Sequence, residues 1–228
     1  MRRIGNIVPA VGLTMGMPMQ SRNTTIVSVR KGNQVVLMGD RQVTLGERIV
    51  AKSSAKKLRR AGDDKIMCGF AGSTADAITL LDKLEGKLQE FPGQLTRAAV
   101  ELAKEWRNDK ILRRLEASII VCDGEETLEI DGQGNVITPE ADGIVAIGSG
   151  GTYAKAAARA LIDVEGMTAE MIAEKAIKIA TDIDVFSNGN WDKDMMESTQ
   201  GKKAEEAAAA KEEADKKDAE EKKKETKK

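Results

Sequence analysis

The sequence predicts an α+β domain built as a four-layer αββα sandwich, in which two antiparallel sheets lie face to face between pairs of helices. Strand-like and helix-like segments come in blocks, in the order strands, two helices, strands, two helices, and not in the alternating order of βαβ units. Several strand segments, such as QVVLMG, KIMCGFAG and ASIIVCD, are nearly continuous apolar runs, which is typical of sheets that are covered on both faces.

The first block of strands begins abruptly at Thr24. The segment TTIVSVR alternates and is rich in β-branched residues, KGN at residues 31–33 is a hairpin-turn signal, and QVVLMG is the returning strand. A polar, glycine-bounded loop, GDRQVTLG, precedes the segment RIVAKSSAKKLRR and the apolar strand KIMCGFAG. A first helix is expected over ADAITLLDKLEGKLQEF, with Ser73 or Thr74 as its N-cap and its end at residues 92–93.

The second half of the domain repeats this order. Apolar residues recur at intervals of three and four in LTRAAVELAKEWRNDKILRRL, which predicts a second helix. The segments ASIIVCD and ETLEID form a strand pair around Gly124, DGQGN makes a further turn, and GIVAIGSGG is a strand that ends in a glycine-rich corner. Two more helices, TYAKAAARALID and TAEMIAEKAIKIATDI, follow.

Composition divides the chain into three parts: a leader over residues 1–23, a domain over residues 24–201 and a tail over residues 202–228. The leader carries three arginines and no acid, which suits a propeptide or transit peptide removed on maturation, with a disordered tail as the alternative. The tail contains only Lys, Asp, Glu, Ala and one Thr, so it has nothing large and apolar to bury and is expected to be flexible.

Composition also excludes several classes of function. The net charge of −1 gives no reason to expect a nucleic-acid partner, and no apolar stretch approaches the roughly 20 residues that span a membrane. Cys68 and Cys122 lie in apolar runs, which favours buried thiols over a disulfide framework. The chain has no histidine, which removes Ser-His-Asp and Cys-His sites and His-ligated zinc.

An enzyme without histidine needs another proton acceptor near neutral pH. The candidates are a carboxylate or a lysine with a shifted pKa, or a free α-amino group, whose ordinary pKa is about 7.7–8.0. A threonine that becomes the first residue can use its own amine in this way. Thr24 fits, because the leader ends where the first strand begins, although a threonine at a strand start is by itself a weak signal.

Between residues 24 and 188 the chain resembles the HslV family, the proteolytic subunits of bacterial-type HslVU ATP-dependent proteases. It is thus similar to the β subunits of proteasomes, which are N-terminal nucleophile hydrolases. The resemblance rests on segments that occur in family order, namely TTIVSVR, GDRQVTLG, KKLRR, GFAGSTADA, LTRAAVELAKEWRNDKILRRLEA, AIGSGGTYAKAAARAL and IAEKAIKIATDI.

The resemblance implies a role for five residues of an active site. Thr24 is then the nucleophile and its freed amine the proton acceptor, Asp40 is the acid beside it, and Lys57 lowers the proton affinity of the nucleophile. The backbone N–H of Gly72 would face the developing oxyanion. Ser149 would hydrogen-bond the N-terminal group.

The resemblance also implies a monovalent cation, with sodium expected, held by backbone carbonyls of Thr181, Asp184 and Ser187; an ordinary helix C-terminus is the alternative. Two residues depart from the family pattern. Arg41 stands where glycine is common, so the local turn is expected to differ, and Ser73 replaces a second glycine beside the oxyanion position.

The function implied is that of a threonine endopeptidase that degrades unfolded proteins from within two stacked hexameric rings. An AAA+ unfoldase of the HslU type would be its partner and would use the ATP, since GSGG lacks the lysine and spacing of a phosphate-binding loop in this chain. Two alternatives stay open: a small-molecule amidohydrolase with the same kind of nucleophile, and a non-catalytic ring subunit. The basic leader suggests the mitochondrial matrix in a eukaryote, and the cytoplasm is expected in a bacterium.

Overall fold

The computed structural model describes residues 24–45, 48–108 and 117–201. The predictions for the leader, for the tail and for the last part of the second helix lie outside these residues. Within them, no helix is both long and apolar enough to cross a membrane.

Eleven strands and four helices follow one another in the described part of the chain. They are β1 (Thr25–Lys31), β2 (Gln34–Asp40), β3 (Val43–Leu45), β4 (Ile49–Lys52), β5 (Leu58–Ala61), β6 (Ile66–Gly72), α1 (Thr74–Glu90), α2 (Leu95–Asn108), β7 (Ala117–Cys122), β8 (Thr127–Ile130), β9 (Val136–Ile137), β10 (Ile144–Gly148), α3 (Gly151–Leu161), α4 (Ala169–Ile183) and β11 (Trp191–Glu197).

The strands form two main antiparallel sheets. One has the strand order β10-β1-β2-β11 and the other has the order β5-β6-β7-β8-β9, while β3 and β4 pair only with each other. The turn at residues 32–33 connects β1 to β2, and Gly32 supplies the positive φ of +57° that this tight connection requires. Each of the two main sheets has two faces, and the apolar side chains on both must be covered.

Three apolar clusters fill the spaces between four layers. Helices α1 and α2 cover one face of the β5–β9 sheet, with Trp106 fully buried among the side chains there. Helices α3 and α4 cover the outer face of the other sheet through alanines and isoleucines such as Ala173 and Ile177. The third cluster, which includes Ile26 and Ile120, lies between the two sheets. This arrangement confirms the predicted αββα sandwich.

Several elements differ in detail from the sequence-based expectation. Strand β11 was not foreseen, because DKDMME has four charged residues and no alternation of polar and apolar ones, and three of the seven strand residues are exposed at the edge of the sheet. The short β3–β4 hairpin was expected only as a loop and an unassigned segment. Ser73 occupies the N-cap position of α1, but its side chain accepts no capping hydrogen bond.

One end of the sandwich gathers the segments that the sequence singled out. Strand β1 begins there, and its Thr25 pairs with Gly148 at the end of β10. Strands β2 and β6 end there, α3 begins after the glycine-rich corner, and α4 ends beside it. Strand ends and helix ends leave backbone groups without ladder partners, so this end has the means to build a site.

Candidate active site

Thr24 lies directly before β1 and is almost completely buried, with 2% of its surface exposed. Its nitrogen, a peptide nitrogen while residue 23 is attached, donates a hydrogen bond to the Ser149 Oγ at 3.2 Å. Its carbonyl oxygen accepts a hydrogen bond from the Gly150 N–H at 3.4 Å. The glycine-rich corner therefore holds the backbone of Thr24 on both sides of the residue.

The corner needs glycine because the chain segments approach each other so closely. Gly148 has a φ of +92°, and a Cβ there would overlap the Thr24 carbonyl. A Cβ on Gly150 would overlap the Thr25 Oγ1 and lie 3.1 Å from the Asp184 Oδ2. The GSGG motif thus serves close packing around the start of β1.

Asp40 and Lys57 form a buried ion pair at the same place. The Lys57 Nζ lies 2.7 Å from the Asp40 Oδ1, and the exposed fractions of the two side chains are 10% and 0%. The Thr25 N–H donates to the same oxygen at 2.8 Å, and the Gln42 N–H donates to Oδ2 at 2.8 Å. Asp40 is thus hydrogen-bonded to Thr25, the residue that follows Thr24.

Burial acts on the two partners of this pair in opposite directions. It raises the pKa of Asp40, while the ammonium of Lys57 and the two backbone N–H groups oppose that change. Burial lowers the pKa of Lys57, against the attraction of Asp40 and, more weakly, of Asp184. Each charge is therefore maintained mainly by the other.

A second network, which the sequence did not reveal, approaches from the loop after α4. The Asp184 Oδ2 accepts hydrogen bonds from the Ser149 Oγ at 2.7 Å and from the Ser187 Oγ at 2.6 Å. The Ser187 Oγ lies 2.7 Å from the Thr25 Oγ1. The Asp184 carboxylate can only accept, so each serine donates its proton there, and the Ser149 Oγ lies farther, at 3.4 Å, from the Thr24 carbonyl. Ser149 can then accept from the Thr24 nitrogen, and Ser187 from the Thr25 hydroxyl.

The three residues expected at a cation site are only partly brought together. Asp184 and Ser187 reach the candidate site through their side chains, whereas the resemblance implied a role for their backbone carbonyls. Thr181 lies in the last turn of α4, and its hydroxyl donates to the Lys178 carbonyl at 3.1 Å. The Asp184 carbonyl accepts one hydrogen bond, from the Ser187 N–H at 3.2 Å. Cation binding stays a prediction.

Gly72 is the last residue of β6 and ends that strand on the same side of the molecule as Thr24. Its φ of +113° lies in the region that glycine adopts far more readily than other residues. Backbone hydrogen bonds hold β6 beside the segment that carries Lys57, because Leu58 pairs with Gly69 and the Phe70 N–H donates to the Lys57 carbonyl at 3.1 Å.

The departure at Arg41 is accommodated next to the ion pair without disturbing it. The Arg41 guanidinium forms a salt bridge with Asp192 near the start of β11. Its backbone N–H donates to the Asn190 carbonyl at 2.9 Å. The side chain is therefore directed to β11, and the contact between Asp40 and Lys57 is kept.

Neither cysteine belongs to the site. Cys68 and Cys122 are free, fully buried thiols on the neighbouring strands β6 and β7, as the apolar runs predicted. Burial raises the pKa of Cys122 to about 12 and also raises the pKa of Cys68, so both are protonated at neutral pH.

Sequence reasoning missed one further buried polar residue, Gln42, of which 6% is exposed. Its Nε2 donates to the Val185 carbonyl at 3.2 Å and to the Thr44 Oγ1 at 3.1 Å. The available signal was its place two residues after Asp40, within the motif GDRQVTLG.

Comparison with known proteins gives the class to which this fold and site belong. A family model described as "Proteasome subunit" matches residues 21–193. The chain therefore belongs to the proteasome family.

Within this family, the similar proteins are HslV subunits. The chain is 75% identical to the "ATP-dependent protease subunit HslV" of Trypanosoma brucei brucei, over 81% of this chain and 88% of that protein. It is 58% identical to the protein of the same name from Paramagnetospirillum magneticum, over 73% of this chain and 91% of that protein.

Solved structures agree with these relatives. The crystal structure of eukaryotic HslV from Trypanosoma brucei is 78% identical, covers 76% of this chain and 99% of that chain, and superposes with a TM-score of 0.75. Thiobacillus denitrificans BPH superposes with a TM-score of 0.62 over 77% of this chain and 99% of that chain, at 18% identity. At that identity the second match supports the fold alone.

Proposed function

We propose that the chain is a threonine endopeptidase and the proteolytic subunit of an ATP-dependent, HslV-type protease. The observation that carries this function is the burial of Thr24 at the start of β1, with its nitrogen on Ser149 and with the Asp40–Lys57 pair bonded to the next residue. The proposal agrees with the names of the HslV relatives, which are ATP-dependent protease subunits.

Removal of residues 1–23 converts the Thr24 nitrogen into an α-amine. The Thr24 hydroxyl then attacks the carbonyl carbon of the scissile peptide bond, and the amine takes the hydroxyl proton. The nearby ammonium of Lys57 stabilises the developing alkoxide, and Asp40 keeps that ammonium charged in its buried position. A protein with no histidine thereby obtains a proton acceptor with a pKa near neutrality.

The Gly72 N–H would stabilise the oxyanion of the tetrahedral intermediate, a contribution of about 3–4 kcal/mol for one such donor. Collapse of the intermediate breaks the peptide bond, and the protonated amine of Thr24 gives its proton to the leaving nitrogen. Water then hydrolyses the acyl-enzyme ester with the amine again as base. Ser149 accepts from the Thr24 nitrogen and so orients the amine for both transfers.

A monovalent cation, with sodium expected, fits the segment after α4. Helix C-termini carry carbonyls without helical partners and a partial negative charge. The Asp184 carbonyl accepts one hydrogen bond in the described contacts, which leaves a lone pair for a cation. Carbonyls of Thr181, Asp184 and Ser187 would hold the ion, which would stiffen the loop that carries Asp184 and Ser187.

As a subunit of an ATP-dependent protease, the chain works in an oligomer with an ATPase partner. The finer proposal is a double hexameric ring of this chain, with an AAA+ unfoldase of the HslU type that delivers unfolded proteins. The acid-free, arginine-bearing leader and the eukaryotic source of a similar HslV support a mitochondrial matrix location. Import followed by removal of the leader would then supply the new terminus.

Intact mass and peptide hydrolysis of the purified mature protein test the proposal together. We expect a mature chain that begins at Thr24, and loss of hydrolysis in a Thr24→Ala variant and after chemical acylation of the new terminus. A mature chain that retains Asn23, or a Thr24→Ala variant with unchanged activity, would refute the mechanism. Hydrolysis of small amides without degradation of unfolded protein in the presence of the ATPase would indicate an amidohydrolase instead.

A further inference from the structure

Two hydrogen-bonded networks meet at Thr24 and Thr25, and they come from different segments of the chain. In the first, Asp40 at the end of β2 binds the Thr25 N–H and Lys57. In the second, Asp184 and Ser187, in the loop after α4, hold Ser149 and the Thr25 hydroxyl. The position of the Thr24 nitrogen and hydroxyl therefore depends on how these two segments lie relative to each other.

The side chain of Gln42 connects the two segments. The backbone N–H of Gln42 donates to the Asp40 Oδ2 at 2.8 Å, so the residue belongs to the first network. Its Nε2 donates to the Val185 carbonyl at 3.2 Å, between Asp184 and Ser187 in the second. Because a peptide carbonyl can only accept, the amide nitrogen and not the amide oxygen must face Val185.

We infer that Gln42 is a positioning residue of this active site, which fixes the segment that carries Asp40 against the loop that carries Asp184 and Ser187. The inference rests on the proposed function, since it assigns a residue to the reaction at Thr24. Gln42 acts through Asp40 and through the loop and contacts none of the reacting atoms.

Among the described residues, the hydrogen bond from Gln42 is the one that holds the Val185 carbonyl. The Val185 side chain is 79% exposed, so it contributes little packing. The Arg41 N–H also joins the two regions, through the Asn190 carbonyl at 2.9 Å and the Asn188 Oδ1 at 3.4 Å. Neither contact uses the Gln42 side chain, so a change there leaves both in place, and the fold is expected to form without the amide.

Three substitutions remove the connection in different ways. Gln42→Met keeps the side-chain volume and loses both donors. Gln42→Glu keeps the shape but places an acceptor opposite the Val185 carbonyl and a buried charge near Asp40 and Asp184, so it is expected to be the more damaging change. Gln42→Asn keeps the amide but is one methylene too short to reach Val185. Of the three substitutions it disturbs the surroundings least.

The test measures hydrolysis of a short fluorogenic peptide by the mature, assembled protein. Because the misplaced groups belong to the chemical step, we expect kcat to fall roughly tenfold to a hundredfold in Gln42→Met, with KM within about twofold of the parent. Gln133→Met, the same substitution at an exposed glutamine, is the matched control and is expected to change neither constant.

A double-mutant cycle with Ser187→Ala distinguishes positioning from general destabilisation. If Gln42 acts through the loop that carries Ser187, the double variant loses less activity than the product of the two single losses. Independent effects that multiply would contradict the inference, as would a loss confined to KM or a kcat within twofold of the parent in all three variants.

Controls distinguish failure of the proposed function from failure of the positioning role of Gln42. If Gln42→Met does not fold, as judged by its thermal unfolding midpoint, Gln42→Asn decides the question by the same criteria. If the parent has no hydrolysis that depends on Thr24, the proposed function fails. If the parent is active and the Gln42 variants equal it, only the positioning role fails.

Discussion

At the scale of single residues, the Asp40–Lys57 pair shows how a site can hold charge in a buried place. Burial by itself would favour the neutral forms of both groups, since it raises the pKa of Asp40 and lowers the pKa of Lys57. Their 2.7 Å contact and two backbone N–H donors to Asp40 counteract this effect. Removing one partner is therefore worse for stability than removing both.

The first prediction follows from this asymmetry. Asp40→Asn leaves the Lys57 ammonium buried without its partner and is expected to lower the unfolding free energy by about 3–5 kcal/mol. The double variant Asp40→Asn with Lys57→Met is expected to regain most of that stability while it stays inactive. Urea unfolding at a fixed protein concentration and peptide hydrolysis give the two readouts. A double variant as unstable as Asp40→Asn would show that the pair does not act as a unit.

The second prediction concerns the alkaline limb of activity. Because burial lowers the pKa of Lys57, this residue loses its proton at a lower pH than an ordinary lysine, whose pKa is 10.5. In the proposed mechanism the Lys57 ammonium stabilises the Thr24 alkoxide, so activity is expected to fall as pH rises, with a midpoint below 10.5. The measurement is kcat/KM against pH. In Lys57→Arg, which stays charged, the remaining activity should lack this limb, and an unchanged limb would assign it to another group.

At the scale of elements, the glycine-rich corner between β10 and α3 brings the first residues of β1 against the loop after α4. The third prediction tests it with two glycines that differ in their surroundings. A Cβ on Gly150 would overlap the Thr25 Oγ1, whereas a Cβ on Gly189 would meet nothing within 4 Å. Gly150→Ala is expected to reduce kcat by roughly a hundredfold, because a shift of about 1 Å suffices for that loss.

Gly189→Ala, as the matched control, is expected to leave peptide hydrolysis unchanged. Equal activity in the two variants would mean that the corner yields without moving Thr24.

The helices and strands themselves were predictable where the sequence pattern was strong. Helices α3 and α4 follow their apolar periodicity, and strands β1, β2, β7 and β10 follow their β-branched or apolar runs, whereas the exposed, charge-bearing β11 shows no such signal.

At the scale of the whole molecule, three separate apolar clusters hold the four layers together. The last described residues pack at the end of the sandwich that lies opposite Thr24. The Ser198 N–H donates to the Asn33 carbonyl at 2.7 Å, and the Thr199 N–H donates to the Gly124 carbonyl at 2.8 Å. Arg30 also donates to the Gly124 carbonyl and to the Ser198 Oγ. Residues 198–201 thus connect the turn between β1 and β2 to the turn between β7 and β8.

The fourth prediction compares two truncations. A chain that ends after residue 201 loses only the Lys, Ala and acid-rich tail and is expected to unfold with the same free energy as the parent. A chain that ends after residue 197 also loses these hydrogen bonds and is expected to be about 1–3 kcal/mol less stable. Urea unfolding of the two chains provides the measurement. Equal stability of the two would contradict the structural role of residues 198–201.

The candidate site was predictable in part. The absence of histidine and the sequence TTIVSVR pointed to Thr24, and family resemblance pointed to Asp40, Lys57, Gly72 and Ser149. The side-chain roles of Asp184 and Ser187 and the contact of Gln42 with Val185 were not predictable, because these contacts join residues 35 to 162 positions apart in sequence.

The sequence by itself determined the αββα order of elements, the buried strands and the need for a proton acceptor other than histidine, because periodicity and composition are local properties of the chain. Only the tertiary structure decided which polar groups meet at Thr24. Those contacts arise where strand ends and helix ends from two layers converge, and no local pattern records which distant hydroxyl, amide or carboxylate satisfies a given backbone group.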